Sequence, residues 1–199
     1  MLYLITNRKL IKSGNIYSVV QNAVMGGVDR IILREKDLPY KKLLPIAAIL
    51  KSILSTYGVP LIINSSLETA LALNAEGFHI GFTNLPKEKP VFNGLLGVSV
   101  HNLQEAVLAE KYGADYLLAG HIFETNSKKG LKPKGIELIK TIKEKVSIPV
   151  IALGGINDEN ILEVLSVGAD GIAVMSYIMA SSNPFNSAKK LKDKINMHR

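Results

Sequence analysis

Short apolar runs alternate with longer amphipathic segments along the whole chain. Eight of these runs are strand-sized and rich in Ile, Leu and Val, without the polar alternation of a half-exposed strand. Parallel strands that are covered on both faces have this composition. The predicted strands are Leu2–Thr6, Arg30–Arg34, Leu61–Asn64, Phe78–Gly81, Leu96–Val100, Tyr116–Gly120, Val150–Leu153 and Gly171–Met175.

The segments between these runs place their apolar residues at helical spacing. The predicted helices are Asn15–Met25, Tyr40–Tyr57, Leu67–Ala75, Leu103–Tyr112, Gly135–Val146, Asp158–Ser166 and Pro184–Asn196. Eight strands with seven or eight helices favour an α/β fold in which residues 1–199 form one domain, a (β/α)8 TIM barrel. An open, doubly wound parallel sheet is the structural alternative.

Glycine precedes every even-numbered predicted strand. Gly27, Gly77, Gly113 and Gly168 each stand just before an apolar run, and three of the four are followed by a short turn that contains aspartate. Glycine at such a position closes the preceding helix in a left-handed turn. This weak internal repeat supports the strand count.

Composition excludes several kinds of chemistry. The 199 residues are 47% apolar and 21% charged and include no cysteine, so disulfides, thiolate nucleophiles and zinc–thiolate sites are excluded. The net charge of +7 is spread along the chain and concentrates mainly in the last segment, around Lys189 to Lys194. We interpret that segment as a solvated helix face and expect no nucleic acid partner, although a basic protein also attracts anionic metabolites.

No feature of the sequence predicts a membrane segment. The longest apolar runs fall well short of the roughly 20 residues that span a bilayer. Residues Met1 to Thr6 lack the basic region and the cleavage site of a signal peptide, and we interpret them as the first strand. We therefore expect a cytoplasmic protein without membrane association.

Polar side chains collect where the predicted strands end. In TIM barrels the loops at the carboxyl ends of the strands carry the active site, and the opposite mouth stabilises the fold. We therefore expect these residues to converge on one mouth. They are Arg34, Glu35, Lys36, Asn64, Ser65, Asn84, Ser99, His101, His121, Thr125, Lys128, Gly155 and Ser176.

The stretch after the sixth predicted strand carries the strongest chemical signal. His121 follows Gly120 directly, and hydroxyls, two lysines and Gly130 come after it. Imidazole exchanges a proton near neutral pH, which suits general acid–base catalysis. We predict His121 as the catalytic residue, and Glu35 or Glu124 as a side chain that could orient its ring.

A second candidate feature is formed by the loops after the last two predicted strands. Gly154-Gly155-Ile156 follows the seventh strand, and Met175-Ser176 ends the eighth. Glycine lets backbone amides approach an anion closely, and this pair of loops binds phosphate in many barrels. We predict that Gly155, Met175 and Ser176 bind phosphate.

Motifs from the whole chain resemble the thiamine-phosphate synthase and TenI superfamily. Each is unspecific alone, but their order along the chain is specific. They are Leu33-Arg34-Glu35-Lys36, Gly97-Val98-Ser99-Val100-His101, Gly113-Ala114-Asp115-Tyr116, Gly120-His121-Ile122-Phe123-Glu124-Thr125, Leu153-Gly154-Gly155-Ile156 and Ala173-Val174-Met175-Ser176.

The chain departs from the synthase pattern of that superfamily at its acidic positions. The pattern has Asn-Asp after the third strand and Gly-Gln-x-Asp after the fourth, where this chain has Asn64-Ser65 and Gly81-Phe82-Thr83-Asn84. Both positions that resemble magnesium-binding aspartates are therefore neutral. His121 also replaces a proline of the synthase pattern, and this feature resembles the TenI branch.

The resemblance to the TenI branch implies a thiazole tautomerase of thiamin biosynthesis. Such an isomerase moves a proton on a carboxylated thiazole phosphate, with His121 as the shuttle, and needs no cofactor and no metal. Arg34, Lys36 or Lys128 would neutralise the substrate carboxylate. The resemblance also implies substrate binding by Asn64, Ser99, His101 and Thr125.

Two other functions remain open from the sequence. One is thiamine-phosphate synthase, which joins hydroxymethylpyrimidine pyrophosphate to thiazole phosphate, because many positions still match that pattern. The other is a non-catalytic regulator that binds a thiazole phosphate. A homodimer through the barrel helices is plausible without a specific signal.

The remaining histidines have different expected environments. His79 lies within a predicted buried strand and is expected to be a hydrogen-bonded residue of the barrel interior. His101 ends a strand and fits a structural or a catalytic role equally well. His198 is expected to be solvated.

Overall fold

A computed structural model describes residues 1–198 and contains one closed barrel of eight parallel strands, paired in chain order from β1 through β8 and back to β1. The predicted barrel is confirmed, and the alternative of an open sheet is wrong. Predicted and observed strand ends agree to within one residue. The strands are β1 Leu2–Ile5, β2 Arg30–Leu33, β3 Leu61–Asn64, β4 Gly77–Gly81, β5 Leu95–Val100, β6 Tyr116–Gly120, β7 Val150–Leu153 and β8 Gly171–Val174.

Helices surround the barrel. All seven predicted helices are present, and the first begins where Asn15 accepts hydrogen bonds from the N–H groups of Tyr17 and Ser18. The short helix after β8 was not predicted, because four residues are too few to show helical periodicity. The helices are α1 Ile16–Met25, α2 Tyr40–Ser55, α3 Leu67–Ala72, α4 Leu103–Lys111, α5 Glu137–Lys143, α6 Ile161–Ser166, α7 Ser176–Met179 and α8 Pro184–His198.

Two apolar cores stabilise the fold. The larger lies between the strands and the helices, and the smaller fills the barrel interior with alternate strand residues, among them Tyr3, Ile32, Tyr116 and Ile151. Because the interior is filled, the barrel has no open channel, and a ligand can enter only at the ends of the strands. No helix within residues 1–198 is long and apolar enough to cross a membrane.

Four carboxylates close the amino-terminal mouth of the barrel in the same way. Each stands immediately before an even-numbered strand and accepts the N–H of a residue at or near the start of a neighbouring odd-numbered strand, as Asp170 does from Val150 at 2.7 Å. Each also pairs with a lysine from a surrounding helix or loop. The four pairs, which we call the carboxylate–lysine ring, are Asp29 with Lys192, Glu76 with Lys51, Asp115 with Lys89 and Asp170 with Lys143.

Candidate active site

The carboxyl ends of the strands surround a pocket of about 940 Å³, which we call the carboxyl-terminal mouth. Every residue predicted from the strand ends lines it except Glu35. The Glu35 carboxylate is turned away, because it accepts hydrogen bonds from the Thr6 hydroxyl at 2.8 Å and from the Arg8 guanidinium at 2.9 Å. The prediction that Glu35 could orient the catalytic imidazole is therefore wrong.

Among residues 1–198, three cationic side chains face this mouth: Arg34, Lys36 and Lys128. They lie close enough to affect one another, since the positive charge of Arg34, together with partial burial and the charge of Lys128, lowers the pKa of the Lys36 ammonium. Burial likewise lowers the pKa of the Arg34 guanidinium from its ordinary value. The mouth is thus an electropositive site that favours anions.

His101 holds one of these cations in place. Its Nδ1 lies 2.6 Å from the Gly120 carbonyl oxygen, which can only accept, so Nδ1 carries the ring proton. Nε2 lies 3.4 Å from Nζ of Lys128, which can only donate, so Nε2 accepts this contact. Of the two readings left open for His101, the geometry supports a structural one that positions Lys128.

His121 follows β6 through a cis peptide bond with Gly120. Its ring is buried, and Nε2 donates to the Leu131 carbonyl at 3.2 Å. Backbone bonds from Lys134 to His121 and from Gly135 to Ile122 close the same loop. These contacts give His121 a role in anchoring the loop, and its predicted catalytic role stays a prediction.

His79 lies inside the barrel within a buried chain of hydrogen bonds, as predicted. Nε2 lies 2.8 Å from the Ser99 hydroxyl and Nδ1 lies 3.1 Å from the Tyr116 hydroxyl. Burial, with a smaller effect from the charge of Arg34, lowers the pKa of His79 to about 3. The ring is therefore neutral at physiological pH, and it fixes Ser99 at the floor of the mouth.

Gly97 makes room for this buried chain. A Cβ atom at position 97 would lie 2.1 Å from the Tyr116 ring and 2.5 Å from the His79 ring. Any larger residue would displace one of the two rings, so the glycine is required by packing.

The loops after β6 and β7 pack tightly against each other on one side of the mouth. Gly155 has a φ of +68°, and a Cβ there would lie 2.4 Å from the Glu124 carbonyl oxygen. Within the described residues the N–H groups of Gly155 and Ile156 donate to no protein acceptor. Thr125 accepts a hydrogen bond from the Ser127 N–H and so shapes the turn that carries Lys128.

The other side of the mouth offers neutral oxygen and nitrogen atoms. The Asn64 amide donates to the Ser65 hydroxyl at 2.8 Å, and Asn84 lies nearby on the pocket wall. Magnesium is usually bound through one or two carboxylates together with substrate phosphates. Ser65 and Asn84, at the two acidic positions of the synthase pattern, carry no carboxylate, so they do not fit its magnesium site. Within residues 1–198 there is also no group of three or more His, Asp or Glu side chains that could hold a metal ion.

Comparison with known proteins identifies the family of this chain. The family model described as thiamine monophosphate synthase, TMP-TENI, matches residues 2–178. The chain belongs to this family. The family resemblance drawn from the motifs is thereby confirmed.

The relatives are similar over nearly their full length. The chain is 42% identical to the thiamine-phosphate synthase of Clostridium acetobutylicum over 97% of this chain and 90% of the relative. It is 40% identical to that of Clostridium tetani over 96% of this chain and 93% of the relative. The thiamine phosphate pyrophosphorylase of Pyrococcus furiosus superposes with a TM-score of 0.90 at 36% identity, covering 99% of this chain and 96% of that one.

These names correct the predicted function. The relatives at about 40% identity are synthases, so the thiazole tautomerase prediction, and with it the isomerase class, is wrong. That prediction rested on His121 in place of a proline, on the predicted phosphate-binding loops and on the two neutral residues at the acidic positions. The structure shows the His121 ring hydrogen-bonded to the Leu131 carbonyl of its own loop. The relatives support the coarser prediction of an enzyme in thiamine biosynthesis.

Some lining residues were missed from the sequence. Asn7 and Tyr177 reach the mouth from the loop after β1 and from α7. Asn7 could have been predicted, because it directly follows the first predicted strand, which ends at Thr6. Tyr177 carried none, because the short helix that presents it was not predicted.

Proposed function

We propose that this chain is a thiamine-phosphate synthase, a transferase that joins hydroxymethylpyrimidine diphosphate to a thiazole phosphate. The bond between the pyrimidine methylene carbon and a diphosphate oxygen breaks, and diphosphate leaves with the electron pair. The thiazole nitrogen supplies the electron pair of the new carbon–nitrogen bond. The observation that supports this most directly is the group of three cations at the mouth of a chain that resembles synthases over nearly its full length.

In the proposal, the three cations stabilise the diphosphate leaving group. Negative charge grows on the diphosphate as the carbon–oxygen bond breaks, and positioned cations stabilise that charge most strongly where water is partly excluded. Arg34, Lys36 and Lys128 serve this role in the proposal. His101 acts through Lys128 and is a positioning residue.

The second substrate binds at the loops after β7 and β8. The unpaired amides of the loop at Gly155, with Met175 and Ser176, bind the phosphate of the thiazole. Asn64, Ser99 and Thr125 line the same pocket, and in the proposal they contact the two heterocycles. Small-molecule phosphates are therefore the proposed partners, and a homodimer stays a prediction.

A direct assay tests the proposal. The protein is incubated with both substrates in a magnesium-containing buffer, and thiamine phosphate and diphosphate are quantified by chromatography. We expect both products in equal amounts, and about a 10²-fold lower rate for Lys128→Met.

The matched control is Lys89→Met, a lysine of the carboxylate–lysine ring at the opposite mouth. It should leave the rate of synthesis unchanged. If the folded wild-type protein formed no thiamine phosphate, the proposed function would be overturned. If the rate of synthesis fell equally in both variants, Lys128 would not have the role assigned to it.

A further inference from the structure

The three cations of the carboxyl-terminal mouth form no ion pair with a side chain of residues 1–198. Ion pairs within residues 1–198 engage seven other cationic side chains, those of Arg8, Lys9, Lys51, Lys89, Lys143, Lys189 and Lys192. Arg34, Lys36 and Lys128 belong to none of these pairs. Bringing like charges together without a partner is unfavourable, so the site is arranged for an anion that comes from outside.

Carboxylates are almost absent from the surface that faces these cations. Glu124 is the one acidic residue among those that line the mouth, and it is exposed on the rim. Glu35 is held by Arg8 and Thr6, and the Glu105 carboxylate accepts the N–H of His101 and the amide of Asn102. Among the described residues the mouth therefore has three cations and a single carboxylate, on its rim, instead of the paired carboxylates of the synthase pattern.

We propose that this mouth binds diphosphate as the bare anion, with Arg34, Lys36 and Lys128 in the place of a divalent cation. The proposal rests on the proposed function for the identity of the anion, and it departs from the synthase pattern at Ser65 and Asn84. Neutral side chains at these two positions do not repel a diphosphate, whereas two carboxylates without a metal would do so.

The backbone at these positions is compatible with the acidic residues that they lack. Ser65 has a φ of +63°, a left-handed conformation that Asp and Asn adopt more readily than Ser does. Asn84 ends a short 3-10 turn and is exposed. The double variant Ser65→Asp/Asn84→Asp is therefore expected to fold, and it converts the neutral wall of the mouth into an acidic one.

Calorimetric titration with inorganic pyrophosphate tests the proposal without any need for turnover. The wild-type protein is titrated in EDTA and again with magnesium chloride, and its folding is checked by thermal unfolding. We expect saturable binding in EDTA, with little or no gain from magnesium. The acidic double variant should bind about tenfold or more weakly in EDTA and should recover affinity when magnesium is added.

The neutral double variant Ser65→Asn/Asn84→Gln is the matched control, and it should bind pyrophosphate in EDTA as the wild type does. Wild-type binding that requires magnesium would overturn the proposal, and so would orthophosphate binding as tight as that of pyrophosphate. If pyrophosphate binds in EDTA while no thiamine phosphate forms in the assay, the bare-anion site stands and the proposed function fails. If synthesis proceeds but pyrophosphate binds only with magnesium, the proposed function stands and the bare-anion site fails.

Discussion

The two mouths of this barrel use charge in opposite ways. At the amino-terminal mouth, four carboxylates each hold a lysine and the N–H of a neighbouring strand. At the carboxyl-terminal mouth, three cations face a pocket with a single exposed carboxylate on its rim. The carboxylates of the amino-terminal mouth satisfy strand N–H groups and so belong to the fold, whereas cations that form no ion pair are available to a ligand.

The three histidines at the carboxyl-terminal mouth are held by hydrogen bonds within the protein. His79, His101 and His121 all reach the carboxyl-terminal mouth, yet each has a hydrogen-bond partner in the protein. Each ring fixes a neighbour, namely Ser99, Lys128 or the loop after β6. A histidine at the end of a strand is therefore insufficient to identify an acid–base catalyst.

Removing a mouth cation should produce the largest effect on activity and little effect on stability. Arg34→Gln is expected to lower kcat/KM for synthesis by about 10² to 10³-fold. Because Arg34 forms no ion pair within residues 1–198 and repels Lys36, the melting temperature should change little. Steady-state kinetics and thermal unfolding of the same preparation measure both quantities, and a large loss of stability would contradict the assignment of this cation to ligand binding.

The buried His79 predicts a dependence of stability on pH. Its pKa in the folded protein is about 3, below the ordinary value of 6.5, so the unfolded chain takes up the proton first as the pH falls. The free energy of unfolding should therefore decrease from about pH 6.5 downward, by at most about 1.4 kcal/mol per pH unit from this group.

Urea unfolding between pH 7 and pH 5 tests this window, because most carboxylates titrate below it. The control variant His79→Gln keeps a polar group in the barrel but cannot take up the proton. It should show a flatter profile than the wild type, and an identical profile would show that His79 is not the group responsible.

Breaking the carboxylate–lysine ring should affect stability and leave activity intact. Asp170→Ala leaves the Val150 N–H without its acceptor and removes the ion pair with Lys143. The free energy of unfolding should therefore decrease by about 1 to 3 kcal/mol. Lys143→Met removes only the partly exposed ion pair and should change stability by about 0.5 kcal/mol. Denaturant unfolding separates the two values, and equal values would mean that the strand N–H contributes nothing measurable.

Much of the fold could be predicted because it depends on local patterns. Runs such as Tyr116–Gly120 and Val150–Leu153 are apolar throughout, so their bounds coincide with the observed strands. The site list also followed from topology, since parallel strands of a barrel bring all their carboxyl ends to one mouth. The orientation of Glu35 could not be predicted, because its partners Thr6 and Arg8 lie in the segment after β1, far from Glu35 along the chain.

The sequence by itself determined the barrel, its mouth and the supply of basic residues there, because each depends on periodicity and on where strands end. The tertiary structure decided which charges are paired and which are free, since the partners of Asp170, Glu35 and His101 lie on other strands or loops of the barrel. The physical reason is that burial follows from the local spacing of apolar residues, whereas hydrogen bonds and ion pairs between distant residues form only when the chain has folded.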